Sequence, residues 1–168
     1  MEIVQSNTQA MLIIESNDEC MEYLPKKYRY IRCHVNWNSV NGSNHFVELE
    51  AYYNWTNVAI NKTVTVVAWT VHSTSPRQPA AFVDWDKTSN NYCDWTNDPS
   101  VWFTLQVDLG QAYELSYLKL WHYYSDWRSY NDNIVTASRN WTKRDTLFNS
   151  NVSWTYRETS SWKTINIQ

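Results

Sequence analysis

Glycine is nearly missing: Gly42 and Gly110 are the only two in 168 residues, where average usage of ~7% would give ~12. Glycine takes positive φ at no steric cost, so a turn-rich chain without it must use Asn and Asp there or strain its backbone. Cysteine is scarce too. Cys20, Cys33 and Cys93 are too few and too irregularly spaced for a disulfide framework or a zinc knuckle, and they allow at most one bridge. No long apolar run is present. Met11–Ile14, near the start, falls far short of the ~18 residues that span a bilayer, and no basic, apolar and small-residue export signal precedes it. Membrane insertion is therefore not expected. Positive charge is not in excess either, with 14 Lys and Arg against 17 Asp and Glu and a net charge of −3. The basic residues are scattered, so the footprint that neutralises a phosphate backbone is lacking, and nucleic acid is not expected as a partner. Catalytic signatures are missing as well: no Gly-x-Ser-x-Gly elbow, His-Glu-x-x-His pair, phosphate loop or Cys-His signature occurs. The chain is expected not to be an enzyme.

Aromatic residues are abundant instead, 16% of the chain, with eleven Trp and twelve Tyr. Nine of the Trp fall in the pairs Asn36-Trp37, Asn54-Trp55, Ala68-Trp69, Asp84-Trp85, Asp94-Trp95, Asp126-Trp127, Asn140-Trp141, Ser153-Trp154 and Ser161-Trp162, and eight of these nine follow Asn, Asp or Ser. Asn-Gly, Asp-Gly and Ser-Gly are among the strongest turn signals, because the second residue wants a left-handed backbone that a bulky side chain disfavours. Were the nine glycine, the glycine count would rise from two to eleven, close to the usual ~12. Only Trp102 and Trp121, inside apolar strand-like runs, would remain. Two readings stand. Either the source decodes as glycine a codon, UGA being the obvious one, that appears here as tryptophan, or the surface is truly Trp-rich and selected for stacking on ligands.

A chain of this length suits one domain. Residues 1–26 read as a leader, linker or edge strand, and residues 27–168 as the domain proper. From Tyr28 onward, runs rich in β-branched and aromatic residues alternate with Asn, Asp, Ser and Pro clusters, which is all-β punctuation. Strands are predicted at Tyr28–Val35, His45–Ala51, Lys62–Ala68, Val101–Asp108, Tyr117–Tyr124, Ile134–Ser138, Thr146–Phe148, Thr155–Glu158 and Lys163–Ile167. So many short strands predict an antiparallel β-sandwich. Leu118, Leu120 and His122 share one face of their strand, and Tyr117, Lys119, Trp121 and Tyr123 the other. Both faces are partly apolar, which predicts a central strand. The one expected helical turn lies near Asp108–Glu114.

Two constellations could carry chemistry. Asp84, Asp86, Thr88 and Glu48 are hard oxygen donors, and a loop with alternate carboxylates can wrap a Ca²⁺ that takes ~6–8 oxygens. The competing reading makes Asp84 and Asp86 turn formers with local Asx bonds, and a Trp at position 85 would crowd the backbone approach that calcium needs. Glu48 and Glu50 form a carboxylate pair two residues apart, which reads equally as a solvated edge. Sugar recognition needs a flat aromatic face together with planar donors and acceptors for hydroxyls. His122, Tyr123, Tyr124, Asp126, Arg128 and Tyr130 form the densest such group. Tyr92, Asp94, Asn97 and Asp98 form a second on a neighbouring loop. For His122 the competing reading is an inward-facing strand histidine bonded to a neighbour. If the Trp are authentic, Trp95 and Trp127 are the first choice as stacking platforms. If they are glycine, the platform is Tyr92, Tyr123 or Tyr124.

The chain resembles the coagulation-factor type C (discoidin-like) domains, which belong to the galactose-binding-like jelly rolls. The resemblance runs through Val107-Asp108-Leu109-Gly110-Gln111, the strand from Tyr117, Asp126-Trp127-Arg128-Ser129-Tyr130 and Ala137-Ser138-Arg139-Asn140-Trp141. It extends to Asn57–Thr65, which is similar to the segment that opens such domains, and to Asp84-Trp85-Asp86-Lys87-Thr88, similar to their aspartate-glycine-aspartate loop. Glycine is customary at Trp85, Trp127 and Trp141, and Arg144 stands where an aromatic is common. Tyr28–Arg32 and Phe46–Tyr52 resemble the closing strands yet come first, which implies a circular permutation or else the tail of one domain leading into another; permutation is favoured because domain termini often lie close together. The resemblance implies a jelly-roll sandwich and a non-catalytic glycan-binding module with a structural calcium held by the 84–88 loop and a closing-strand glutamate. It also implies that arginine-x-tyrosine can be packing alone. Such permuted modules resemble those of bacterial surface and phage receptor-binding or fibre proteins. That implies a cell-surface, extracellular or virion location and a place in a larger multivalent assembly. The alternative from another class is a structural or assembly module with no ligand of its own.

Overall fold

The structure, a computed structural model, describes residues 25–41, 43–68, 78–95, 102–152 and 159–167. Its strands are β1 (Tyr28–Val35), β2 (Trp37–Asn38), β3 (Asn44–Phe46), β4 (Glu48–Tyr53), β5 (Thr56–Asn57), β6 (Thr63–Ala68), β7 (Cys93–Trp95), β8 (Phe103–Tyr113), β9 (Tyr117–Trp121), β10 (Tyr130–Asn131), β11 (Ile134–Ser138), β12 (Asp145–Asn149) and β13 (Lys163–Asn166). A short 3-10 turn, Pro79–Val83, is the helical piece among the described residues. The protein is an antiparallel β-sandwich. One sheet has the order β12-β11-β1-β8-β6 and the other β13-β9-β4-β5, and the two-stranded pairs β10-β2 and β3-β7 lie beside them. None of the described helical segments is long and apolar enough to cross a membrane.

Period-two patterning explains the larger sheet. In β1, Ile31, Cys33 and Val35 are buried while Arg32 and His34 are only half-buried. On that outer row, Arg32 donates to Gln106 Oε1 at 2.7 Å, Arg144 donates to the same oxygen at 2.9 Å, and His34 meets Thr104 Oγ1 at 2.9 Å. Arg144, just before β12, thus ties the start of that strand to β8 across the sheet. A register shift between Tyr28 and Tyr30 resets the phase at the start of β1. From β8, Phe103, Leu105, Val107 and Leu109 are fully buried. They face Leu49, Ala51, Leu118 and Leu120 of the smaller sheet in one core. Phe46 packs against Phe82 and Phe103 with ring centroids 5.0 and 5.5 Å apart, each such burial contributing ~1.5–3 kcal/mol.

Most predicted strands lie within two residues of observed ones, and the strand from Tyr117 is central, between β13 and β4. Three expectations change. The strand predicted at His45–Ala51 breaks at Val47 into β3 and β4, which lets β3 leave the sheet and pair with β7. The strand predicted to reach Tyr124 ends at Trp121, releasing residues 122–129 as a loop. The helical turn expected near Asp108–Glu114 is a continuation of β8. Gly110, at φ +85°, bends that strand locally, and Asp108 Oδ1 accepts its N–H at 2.8 Å. Thr155–Glu158, Val101 and residues 1–24 lie outside the described residues. Cys33 and Cys93 are free thiols, both buried, and burial pushes Cys93 up to about 12.

Candidate functional site

Where β9 ends, three loops converge: residues 39–41 and 43 between β2 and β3, residues 84–92 before β7, and residues 122–129 before β10. Arg128 is their centre. Its side chain is 4% exposed and makes a forked pair with Asp126, Nε to Oδ1 at 2.8 Å and Nη2 to Oδ2 at 2.5 Å. Nη1 donates to Asn41 Oδ1 at 3.2 Å and lies 3.1 Å from His45 Nδ1. Guanidinium only donates, so His45 Nδ1 must carry a lone pair, and the neutral ring has its proton on Nε2. That nitrogen faces Asp94 Oδ2 at 3.9 Å. Hydrogen bonding from Arg128 holds the Asp126 carboxyl below its usual range, while burial, then the Arg128 charge, lower His45 to about 3.

Aromatic rings wall this polar centre. His45 meets Tyr92 edge-on at 4.7 Å and Tyr123 at 5.5 Å. Tyr92 and Tyr123 meet each other edge-on at 5.4 Å, and the Arg128 guanidinium carbon lies 4.7 Å over the Tyr123 ring. Tyr92, Tyr123 and Tyr124 are half-buried, and Asp126 is exposed.

Beneath them, His122 and Tyr130 are fully buried and stacked at 4.3 Å. His122 Nδ1 lies 2.6 Å from the His45 carbonyl, which only accepts, and Asn133 Nδ2 donates to Nε2 at 2.7 Å. Both ring nitrogens are thereby committed in the neutral form, and burial lowers His122 to about 4. His122 and Tyr130 are a supporting floor, shut off from any ligand at the surface, so the inward-facing reading describes His122. Asp94 is buried on β7, opposite His45 in the strand register. Asn97 and Asp98 lie outside the described residues.

The 84–91 loop is a chain of Asx bonds. Asp84 Oδ1 accepts the Asp86 N–H at 2.9 Å, and Asp86 Oδ1 accepts the Thr88 N–H at 3.0 Å. Asn91 Nδ2 reaches both Asp84 oxygens at 3.1 and 3.2 Å. Turn formation by Asp84 and Asp86 is therefore present. Under the loop, Glu48 is fully buried. Its Oε1 accepts the Trp85 N–H at 3.3 Å and its Oε2 has no hydrogen-bond partner. Burial, which outweighs the bond from Trp85 and is reinforced by the Asp84 charge, raises Glu48 to about 9. Glu50 is buried too, paired with Lys87 Nζ at 2.8 Å and accepting from Tyr52 at 2.9 Å. The two glutamates are thus no solvated edge. Among the described residues, no three His, Cys, Asp or Glu side chains gather as a metal-binding group.

Ser89 joins the two loops. Its Oγ accepts the N–H groups of Tyr124 and Ser125 at 3.1 Å each, and Tyr124 Oη donates to the Lys87 carbonyl at 3.0 Å. Residues that sequence reasoning passed over are His45, Asn41, Asn133, Lys87 and Ser89. The available signal was a histidine opening a predicted strand just after an Asn- and Ser-rich turn. No family model matches the chain, and no curated protein or solved structure does either.

Proposed function

We propose that the protein is a non-catalytic carbohydrate-binding module of the discoidin-like, galactose-binding-like jelly-roll type, circularly permuted and presented at a cell or virion surface. The observation that carries this reading is the Arg128–Asp126–His45 cluster flanked by the half-buried rings of Tyr92 and Tyr123. Each pyranose has an apolar face that a tyrosine ring can cover, and hydroxyls that match the partly exposed carboxylate of Asp126. Arg128 is spent on internal partners, so its role is to hold Asp126 and the Tyr123 ring in place. A shallow site of this kind is weak alone and gains through display of several copies.

A structural calcium fits the chain in one respect. Glu48 Oε2 is a buried carboxylate oxygen in want of a partner, close enough to Asp84 to feel its charge. Glu48, Asp84, Asp86 and Thr88, with main-chain carbonyls of their loop, would hold the ion, which would supply positive charge to a buried acid and stiffen the loop. Through Ser89 that stiffness reaches Tyr124 and Ser125.

Binding to an array of immobilised saccharides, with and without calcium, tests the reading. Retention of one saccharide class, lost in Tyr92→Ala and Tyr123→Ala while the fold is kept, is expected. A blank array with tight self-association would instead establish an assembly module.

A further inference from the structure

Three Trp residues stand in the left-handed region of the backbone: Trp55 at φ +65°, Trp85 at +75° and Trp127 at +61°. A side chain there costs ~1–2 kcal/mol against the ordinary conformation, and bulky residues rarely adopt it. All three belong to the nine Trp in turn-like pairs, of which Trp37, Trp141 and Trp162 have ordinary φ and Trp37 and Trp95 stand in β2 and β7; neither Trp102 nor Trp121 shares the left-handed conformation. The true glycine Gly110 does, at φ +85°. A Cβ built there would find its nearest contact 3.9 Å away, at Lys62 Nζ. At Gly110 the dihedral angle, and not lack of room, selects glycine; the same angle recurs at the three Trp.

The local architecture agrees. Tyr53 pairs with Thr56 across β4 and β5, so Asn54-Trp55 is a two-residue hairpin loop, and both of its residues have positive φ, +46° and +65°. That is the type I′ turn, which prefers Asn-Gly. Asp84, Asp126 and Asn140 each accept the N–H two residues on, at 2.9, 3.4 and 3.3 Å, arching over Trp85, Trp127 and Trp141.

Burial separates the same two groups. Every one of the nine whose side chain is described is between 40% and 88% exposed, whereas Trp121 is 1% exposed and donates its indole N–H to the Ser160 carbonyl at 3.3 Å. Lys87 Nζ lies 3.7 Å above the Trp85 ring, Trp141 covers the buried Tyr30 ring at 4.2 Å, and Trp162 covers the buried Trp121 at 5.5 Å.

We infer that the natural protein carries glycine at positions 55, 85 and 127 and tryptophan at positions 102 and 121, the source reading as glycine one codon that is written here as tryptophan. The loop above Glu48 then loses the half-exposed indole of position 85. If the glycan reading holds, the stacking surface is left to Tyr92 and Tyr123, not to Trp127.

Peptide masses of the protein purified from its source organism decide the matter, because each exchange removes an indolylmethyl group. Glycine masses at positions 55, 85 and 127, with tryptophan at 102 and 121, are expected. An indole mass at any of the first three overturns the inference. Two recombinant chains provide a second readout: Trp55→Gly/Trp85→Gly/Trp127→Gly is expected to melt higher than the chain as written, and Trp121→Gly lower. A triple variant that melts no higher would remove the stereochemical ground. Neither measurement involves saccharide, so failure here leaves the glycan reading to its own test.

Discussion

Arg128 is a permanent charge with almost no water around it, and it remains acceptable only because Asp126, Asn41 and His45 take up its donors. Lysine would keep the charge but not the planar fork. Arg128→Lys is therefore expected to cost about 2 kcal/mol in denaturant unfolding, part of the full loss being recovered by water because the Asp126 side chain is 34% exposed. The buried titratable groups around it act in opposite directions. Glu48 lies at about 9 against an ordinary 4.5, so it binds its proton better when folded. Its contribution is complete below the ordinary value and is lost as pH rises through that window. His45 and His122 lie at about 3 and about 4 against 6.5. They bind protons worse when folded, and the stability present above 6.5 drains away as pH falls. In chelator, the melting temperature is expected to peak near the ordinary histidine value. Glu48→Gln should flatten the alkaline decline, steepen the fall between 6.5 and 4.5 where Glu48 opposes the histidines, and leave the limb below 4.5 unchanged, as differential scanning calorimetry across pH would read. A decline that persists in the variant would mean Glu48 is not its cause.

Between elements, the Ser89 hydroxyl is the narrowest link, one acceptor serving two backbone donors of the neighbouring loop. Ser89→Ala leaves those N–H groups without that partner and costs ~1–3 kcal/mol. If loop stiffening is what a bound cation does, the variant should still bind calcium by isothermal titration while its saccharide affinity ceases to depend on the ion. The chain made some elements legible and concealed others for physical reasons. Leu118 and Leu120 alternate with Tyr117 and Lys119 strictly enough to mark a strand and its inner face. Asp108–Glu114 carries polar residues around a glycine and so imitates a turn, although pairing with β1 reaches Tyr113 and holds the segment extended. His45 could not have been joined to Arg128 from local pattern, since 83 residues separate them and only the convergence of loops makes them neighbours. Glu48 and Glu50 looked like surface because acids usually are. The burial of Glu50 depends on Lys87 and Tyr52, supplied by another loop and by the same strand, and Glu48 lies beneath the 84–91 loop.

At the scale of the whole molecule, one core couples both sheets, so its two described thiols should report global opening. Cys33 and Cys93 are expected to resist a thiol reagent under native conditions and to react together as denaturant unfolds the protein, at the midpoint seen by Trp121 fluorescence. Early labelling of Cys93 alone would show that β7 opens separately.

β1 is the first strand of the described chain, and it lies between β8 and β11, whose sequences come roughly seventy and a hundred residues later. During translation Tyr28–Val35 therefore leaves the ribosome with both its edges bare and has to wait for two distant segments to be made. Assembly is gated by synthesis, so refolding of the finished chain should be slow for its size, as nonlocal pairing dictates. A nascent chain stalled before Ile134 would offer an unpaired edge to which a chaperone, or another copy of itself, could attach.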